Sequence, residues 1–202
     1  MTGAVSMAAR FPAASAEQRP IQTVAIIGAG TAGRSFALAV ACAGFNVVLE
    51  DVMPANLRRA EADFADMGHR AGPGTLSLAL TVEEAVRNAD LAIDFVPDGL
   101  ESKLEIFSMI DRMAPPRTIL CTPTDALSIT DLASCVYRPE RTFALRGDLL
   151  TVGSPASIRL LFPATAQSAP LDGTATFLGA LGFHVATEED PDVPMLIKNL
   201  TR

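Results

Sequence analysis

Residues 23–52 read TVAIIGAGTAGRSFALAVACAGFNVVLEDV, and this stretch decides the fold. A short apolar run leads into a turn with the spacing Gly28-x-Gly30-x-x-Gly33, followed by a run of small residues and a second apolar segment. This order predicts a strand, a tight turn, a helix and a second strand, which is the βαβ unit that binds dinucleotides. We expect Gly28 to allow the turn, Gly30 to admit a pyrophosphate close to the backbone, and Gly33 to let the helix approach the strand.

The start of the predicted helix and the end of the second strand indicate how such a ligand would be held. Its phosphates are expected at the helix N-terminus, against Thr31 and Ala32. Asp51 ends the second strand, where a carboxylate can bind ribose hydroxyls and repel a 2′-phosphate, so the predicted cofactor is NAD rather than NADP. If Asp51 holds the ribose, its neighbour Glu50 is expected to face solvent. The arginine pair at 58–59 keeps NADP as an alternative.

Composition restricts the classes of partner and compartment. The 202 residues suit one domain, and a net charge of −7 without a basic patch excludes nucleic acid and anionic membranes as partners. Hydrophobic residues make up 49% of the chain but fall in short, interrupted runs, so no membrane span is predicted. Cys42, Cys121 and Cys135 have neither a disulfide pattern nor metal-ligand spacing, which favours the cytoplasm and no metal. We expect a disordered leader over 1–20 and one folded domain over 21–202.

Strand-like and helix-like segments alternate along the rest of the chain. Strands are predicted over 76–80, 91–95, 118–121, 142–145, 158–162 and 184–186, and helices over 57–67, 100–113 and 171–181 and near Met195. Thr81 precedes two glutamates and is expected to cap a further helix. Alternating strands and helices predict an α/β fold with a doubly wound, mostly parallel sheet of the Rossmann type.

The central segment, residues 89–133, reads ADLAIDFVPDGLESKLEIFSMIDRMAPPRTILCTPTDALSITDLA. This segment, together with the order of elements from Val24 to Asn199, resembles the NAD-binding domain of the 3-hydroxyacyl-CoA dehydrogenase family. The resemblance implies that Asp98 and Lys103 contact NAD and that Asn199 is the active-site asparagine. For Lys103, a solvated helix residue is the alternative. The family resemblance also implies oxidation of a 3-hydroxyl by hydride transfer to NAD, with a histidine as general base and a glutamate that orients the histidine.

Several positions depart from that family pattern. In RTFALRGDLL, Arg146 stands where the family has its histidine, and in SIRLLF, Phe162 is assigned to the glutamate position. Pro123 and Asp125 replace the substrate-binding asparagine and serine. The stretch between the second strand and Asp90 is shorter than the helical hairpin with which the family holds the CoA thioester, which makes acyl-CoA doubtful as a ligand of this chain. The chain ends at 202, where the family continues into a helical domain, so we expect an open cleft or one covered by another subunit of a homo-oligomer.

The replaced residues define three hypotheses for function. Asp125, Arg146 and Asp148 follow strand ends on the carboxyl side of the sheet, where they are expected to form a polar site. The first hypothesis is a stand-alone NAD-dependent oxidoreductase for a small or carrier-bound hydroxy or keto acid, in which Asp125 with Asn199 deprotonates the alcohol and Arg146 holds a carboxylate. The second is a dehydration, cyclisation or isomerisation without NAD.

The third hypothesis is a non-catalytic NAD sensor or partner subunit. A simpler role for the arginine also stays open at this point. In it, an ion pair of Arg146 with Asp125 or Asp148 only fills the vacated site.

Overall fold

The computed structural model describes residues 20–68, 72–150 and 156–192, and within them one eight-stranded sheet carries helices on both faces. The strands are β1 (Thr23–Ile27), β2 (Asn46–Glu50), β3 (Thr75–Ala79), β4 (Leu91–Asp94), β5 (Ile119–Pro123), β6 (Thr142–Arg146), β7 (Ser157–Phe162) and β8 (His184–Glu189). The helices are α1 (Thr31–Cys42), α2 (Pro54–Met67), α3 (Val82–Val86), α4 (Leu100–Met113), α5 (Ile129–Ser134) and α6 (Ser168–Ala180).

The order of the strands places a ligand crevice at β1. The sheet runs β3-β2-β1-β4-β5-β6-β7-β8, with β1 between β2 and β4. The first six strands are parallel, β7 is antiparallel to β6, and β8 is parallel to β7. The chain leaves β1 toward one side of the sheet and β4 toward the other, which opens a crevice at their carboxyl ends. The predicted doubly wound, mostly parallel Rossmann fold is confirmed.

Two hydrophobic cores lie on opposite faces of the sheet, as the alternation of side chains along β1 requires. Val24 and Ile26 pack in the core beneath α1, α2 and α6. Ala25 and Ile27 pack in the core beneath α3, α4 and α5. A strand buried on both faces explains why the β1 sequence is continuously apolar rather than alternating.

Most predicted elements agree with the structure, with shifted ends. The Thr81 hydroxyl accepts a hydrogen bond from the Glu84 amide at 3.3 Å, so the predicted cap of α3 is confirmed. The strand predicted over 118–121 extends instead over Ile119–Pro123, and the sequence analysis missed α5. The helix predicted near Met195 lies outside the described residues, as does the leader predicted over 1–20 apart from its last residue. Among the helices that the structure describes, none is both long and apolar enough to cross a bilayer.

Candidate active site

The glycine turn after β1 has the geometry that its sequence predicts. Gly28 has φ +101°, a conformation that side-chain-bearing residues rarely adopt. Its amide donates to the Glu50 carbonyl at 2.8 Å, which joins the turn to the end of β2. At Gly33, an added Cβ would lie 1.9 Å from the Gly28 carbonyl oxygen, so only glycine lets α1 pack this close to the turn.

The N-terminus of α1 is open toward the crevice. A Cβ added at Gly30 would meet no heavy atom within 4 Å, so this glycine borders free space rather than packed protein. Thr31 and Ala32 are exposed in the first turn of α1, and no side chain caps that end of the helix. Amides at such a helix start favour an anionic ligand, and a pyrophosphate fits the predicted role of all three residues.

Asp51 joins the turn to the start of α2. Its carboxylate accepts hydrogen bonds from the Ala29 amide at 2.8 Å, the Met53 amide at 2.7 Å and the Asn56 side-chain amide at 3.0 Å. Asp51 is 8% exposed and lines the crevice. Because an ionised carboxylate offers about four acceptor positions, Asp51 retains one for a ribose hydroxyl.

A groove of about 470 Å³ runs from the glycine turn past Asp51 to α4. Its lining comprises Ile27, Gly28, Gly30, Glu50, Asp51, Val52, Asn56, Val82, Phe95, Val96, Pro97, Ser102, Glu105, Ile106 and Met109. The lining includes three acids and no lysine, arginine or histidine from the described part of the chain. Arg58 and Arg59 are exposed on α2 and do not line it. This charge distribution disfavours a 2′-phosphate.

Glu50 does not face solvent, so that expectation was wrong. The residue is 4% exposed and lines the groove. Burial, together with the neighbouring charge of Asp51, raises the pKa of Glu50 to about 7. The two consecutive acids at the end of the strand were the sequence signal, but the sequence analysis favoured Asp51 as the ligand contact and placed Glu50 in solvent.

Lys103 lies in a buried ion pair rather than on a solvated helix face, so that alternative was wrong. Its Nζ is 2.6 Å from Asp94 Oδ1, with side-chain exposures of 1% and 0%. Lys103 is not among the groove-lining residues, and its contact with NAD stays a prediction. Burial raises the pKa of Asp94, and its second oxygen has no hydrogen-bond partner within the described structure. The sequence signal for Asp94 was an acid at the end of the apolar strand LAID.

The structure brings Asp98 and Asp125 together beyond the ends of β4 and β5. The Asp98 carboxylate accepts a hydrogen bond from the Asp125 amide at 3.1 Å, and both residues are exposed. Asp148 is also exposed, and its carboxylate accepts from the Leu150 amide at 2.8 Å. Asn199 lies outside the described residues. The carboxyl edge of the sheet therefore carries three exposed acids on neighbouring loops.

Arg146, the last residue of β6, points its guanidinium toward the loop that contains Asp125. Nη2 donates to the Leu127 carbonyl at 3.0 Å, whereas Nε is buried without a partner. Arg146 forms no ion pair with any residue that the structure describes, so the proposed pairing with Asp125 or Asp148 was wrong. The guanidinium keeps donors for an acceptor that the described protein does not provide.

Phe162 does not lie beside Arg146, so its assignment to the position of a base-orienting residue was wrong. The register partner of Arg146 on β7 is Arg159, and Phe162 is three positions further along the antiparallel strand. At about 3.3 Å per residue, this is about 10 Å from the end of β6 that carries the guanidinium.

Comparison with known proteins identifies the family. The family model for the 3-hydroxyacyl-CoA dehydrogenase NAD-binding domain matches residues 23–146. A probable 3-hydroxybutyryl-CoA dehydrogenase from Bacillus subtilis is 33% identical over 138 residues, which cover 62% of this chain and 48% of that protein. The 5-formyl-3-hydroxy-2-methylpyridine 4-carboxylate 5-dehydrogenase from Mesorhizobium japonicum is 34% identical over 131 residues, covering 60% of this chain and 42% of that protein.

A solved structure supports the same assignment. The 3-hydroxybutyryl-CoA dehydrogenase from Escherichia coli superimposes with a TM-score of 0.73 and 25% identity, covering 84% of this chain and 38% of that one. The chain thus spans less than half the length of each of these relatives. It belongs to the 3-hydroxyacyl-CoA dehydrogenase family, and residues 23–146 match that family's NAD-binding domain.

Proposed function

We propose that this chain is the NAD-binding part of an oxidoreductase that interconverts a hydroxyl and a keto group on a small or carrier-bound acid. The observation that carries the proposal is Arg146, whose buried Nε lacks a partner at the carboxyl edge of the sheet. Nη2 is anchored on the Leu127 carbonyl, which fixes the plane of the guanidinium. The planar guanidinium of Arg146, with a donor that has no partner among the described residues, suits the two oxygens of a substrate carboxylate.

A free carboxylate on the substrate is compatible with this family. The relative from Mesorhizobium japonicum is named for a pyridine 4-carboxylate. Arg146 occupies the position at which the sequence resemblance places a histidine base, and arginine does not give up its proton at neutral pH. Arg146 is therefore assigned to substrate binding, and the proton must be taken by another group.

We assign the proton transfer to Asp125. NAD supplies the acceptor for the hydride that leaves the carbinol carbon. The hydroxyl proton would pass to the Asp125 carboxylate, which stands on the same loop as the Leu127 carbonyl that anchors Arg146. The Asp98 carboxylate, by holding the Asp125 amide, positions that loop. Asn199 and Asp148 are proposed to contribute substrate hydrogen bonds.

Arginine variants test the substrate assignment. Purified protein is titrated with NADH and then assayed with a panel of hydroxy acids, keto acids and their CoA thioesters. Arg146→Gln is expected to leave the NADH dissociation constant within about twofold and to lower kcat/KM for carboxylate substrates by about 10- to 100-fold, the value of a charge-assisted hydrogen bond. Arg159→Gln is the matched control, because Arg159 is its register partner but is half exposed and pairs with Glu188.

Equal activity of the Arg146→Gln and Arg159→Gln proteins on every substrate would refute the substrate assignment. Failure of the wild-type protein to bind NADH would refute the wider proposal.

A non-catalytic NAD-binding protein is the second candidate, and one observation favours it. Asp125, the group assigned to proton transfer, is exposed to solvent rather than enclosed with the arginine. NADH binding without turnover of any substrate in the panel would support this candidate against the first.

We also propose a cytoplasmic location and a homo-oligomer. Cys42, Cys121 and Cys135 form no disulfide in the described structure, which fits a reducing compartment. Sedimentation of the purified chain at several concentrations tests the oligomer, and a monomer at all concentrations would contradict it.

A further inference from the structure

Glu50 is a buried acid whose carboxyl group is unused by the protein. It ends β2, and its backbone carbonyl accepts the Gly28 amide at 2.8 Å. The residue is 4% exposed and lines the groove. Its carboxyl group has no hydrogen-bond or ion-pair partner among residues 20–68, 72–150 and 156–192. Because the carboxyl group lines the groove, a ligand in the groove can take the place of water as its hydrogen-bond partner.

The alternation along β2 gives the face of the sheet on which this side chain lies. Val47 and Leu49 belong to the core beneath α1, whereas Val48 packs against the core beneath α3 and α4. Glu50 shares the face of Val48, since strand side chains alternate. On that face the groove is lined by Val82 from α3 and by residues of α4. These apolar neighbours form a site for a flat, mostly apolar ring.

The groups that face Glu50 disfavour its negative charge. Asp51 and Glu105 are the other acids in the groove lining, from the end of β2 and from α4. No lysine, arginine or histidine of the described chain contributes to the lining. The carboxyl group is therefore largely neutral below about pH 7, in line with its raised pKa.

We propose that Glu50, as a neutral carboxylic acid, recognises the adenine ring of the dinucleotide. Its O–H donates to a ring nitrogen, and its carbonyl oxygen accepts from the N6 amino group. The inference rests on the NAD binding assigned above, with the pyrophosphate at Gly30 and the ribose at Asp51. The adenine then lies in the remaining part of the groove, beside Glu50.

The chemistry of the two partners is complementary. A protonated carboxyl group offers one donor and one acceptor side by side, and adenine offers an acceptor and a donor on one edge. Asparagine and glutamine read adenine in this way with the same donor–acceptor pair. A glutamine at position 50 would therefore imitate the acid form at every pH, which makes Glu50→Gln an informative variant.

The test is calorimetric titration of the whole chain with NAD and with etheno-NAD, in which a two-carbon bridge blocks N1 and N6 of adenine. Near pH 6 the wild-type protein is expected to bind NAD about tenfold more tightly than etheno-NAD. Raising the pH from about 6 to about 8.5 should weaken NAD binding about fivefold or more, because the acid form disappears. Glu50→Gln should keep the preference for NAD at both pH values.

Two further variants make the outcome decisive. Glu50→Ala should bind both dinucleotides within about twofold of each other. Glu101→Gln is the matched control, because Glu101 is an exposed acid on the same helix, α4, that does not line the groove, and it should follow the wild-type pH profile. A Glu50→Ala protein that still prefers NAD, or a Glu50→Gln protein with the wild-type pH profile, would overturn the inference alone. A wild-type protein that binds no NAD would overturn the proposed function together with it.

Discussion

Two regions of the carboxyl edge differ in how their polar groups are satisfied. We call the glycine turn with Glu50 and Asp51 the adenosine side, and Asp125 with Arg146 the substrate side, after their proposed ligands. On the adenosine side, the Gly28 amide is bonded to the end of β2, and Asp51 accepts three hydrogen bonds. On the substrate side, Arg146 makes one hydrogen bond and leaves its buried Nε unpaired, while Asp125 is exposed. Both sides belong to one parallel arrangement of strands, so the fold alone does not cause the difference.

Under the proposed function, this difference separates cofactor binding from substrate chemistry within one domain. Interactions inside the protein hold the backbone of the adenosine side in place, which lowers the entropy cost of binding. Arg146 on the substrate side has a buried Nε donor without a partner among the described residues. We therefore expect substitutions on the adenosine side to change stability or NAD affinity, and substitutions on the substrate side to change turnover.

The largest expected effect comes from Lys103, whose ion pair with Asp94 lies at the end of β4. Lys103→Met would leave Asp94 buried without its counter-ion and should lower the free energy of unfolding by about 3–5 kcal/mol. Urea unfolding measures this loss, and the double variant Asp94→Leu, Lys103→Met should recover most of it. If Lys103→Met instead weakened NADH binding strongly with a loss of less than about 1 kcal/mol in stability, Lys103 would be a cofactor ligand, as the family resemblance implies.

The second effect separates packing from binding in the glycine turn. Gly33→Ala should destabilise the protein by about 3 kcal/mol, because the added methyl group overlaps the Gly28 carbonyl. Gly30→Ala adds the same methyl group in open space and should change the stability by less than about 0.5 kcal/mol while weakening NADH binding. Thermal unfolding and NADH titration of both variants measure these effects. Equal stability losses at the two positions would contradict the assigned roles.

The third prediction compares one acid from each side, and expects one variant to change NADH binding and the other to change turnover. Asp51→Asn should weaken NADH binding by about 2 kcal/mol, because the new amide group cannot accept as many hydrogen bonds. Asp125→Asn should leave NADH binding unchanged and reduce kcat by about 100-fold or more, the typical contribution of a general base. Titration and steady-state kinetics on the same preparations separate the two. Loss of NADH affinity in Asp125→Asn would show that the two sides are coupled.

The sequence predicts the adenosine side well because its determinants are local. The glycine turn, the βαβ order and Asp51 all fall within 23–52, so short-range spacing suffices to place them. Pairings between distant segments could not be predicted in the same way. The antiparallel register of β7 places Phe162 away from Arg146, and no local pattern indicates that register. The six-residue helix α5 is too short for a clear helical period.

Burial of charged residues was the other feature that the sequence did not reveal. Lys103 on α4 has the sequence context of a surface lysine, and only its approach to Asp94 at the end of β4 shows that both are buried. Glu50 is buried because the start of α3 and one face of α4 cover the end of β2. In each case the environment of the charge depends on how helices pack over strand ends, which requires the three-dimensional arrangement.

The smallest expected effect is the pH dependence of stability due to Glu50. Its pKa is raised from 4.5 to about 7 in the folded protein, so between these pH values the folded state binds more protons than the unfolded state. Stability from this group is therefore greatest below about pH 4.5, falls as the pH rises toward about 7, and is constant above that. We expect the total change to be on the order of 1 kcal/mol, since the groove admits water that screens the charge.

Urea unfolding of the wild-type protein and of Glu50→Gln at several pH values isolates this contribution. The difference in unfolding free energy should change in favour of Glu50→Gln between about pH 5 and about pH 7 and then stay constant, because the amide does not ionise. The other groups cancel in the difference, including Asp94, whose pKa is also raised. A difference that is independent of pH would mean that folding does not raise the pKa of Glu50, so that the group is ionised near neutral pH. The adenosine side would then contain a second fixed negative charge, and adenine recognition by a neutral acid would fail with it.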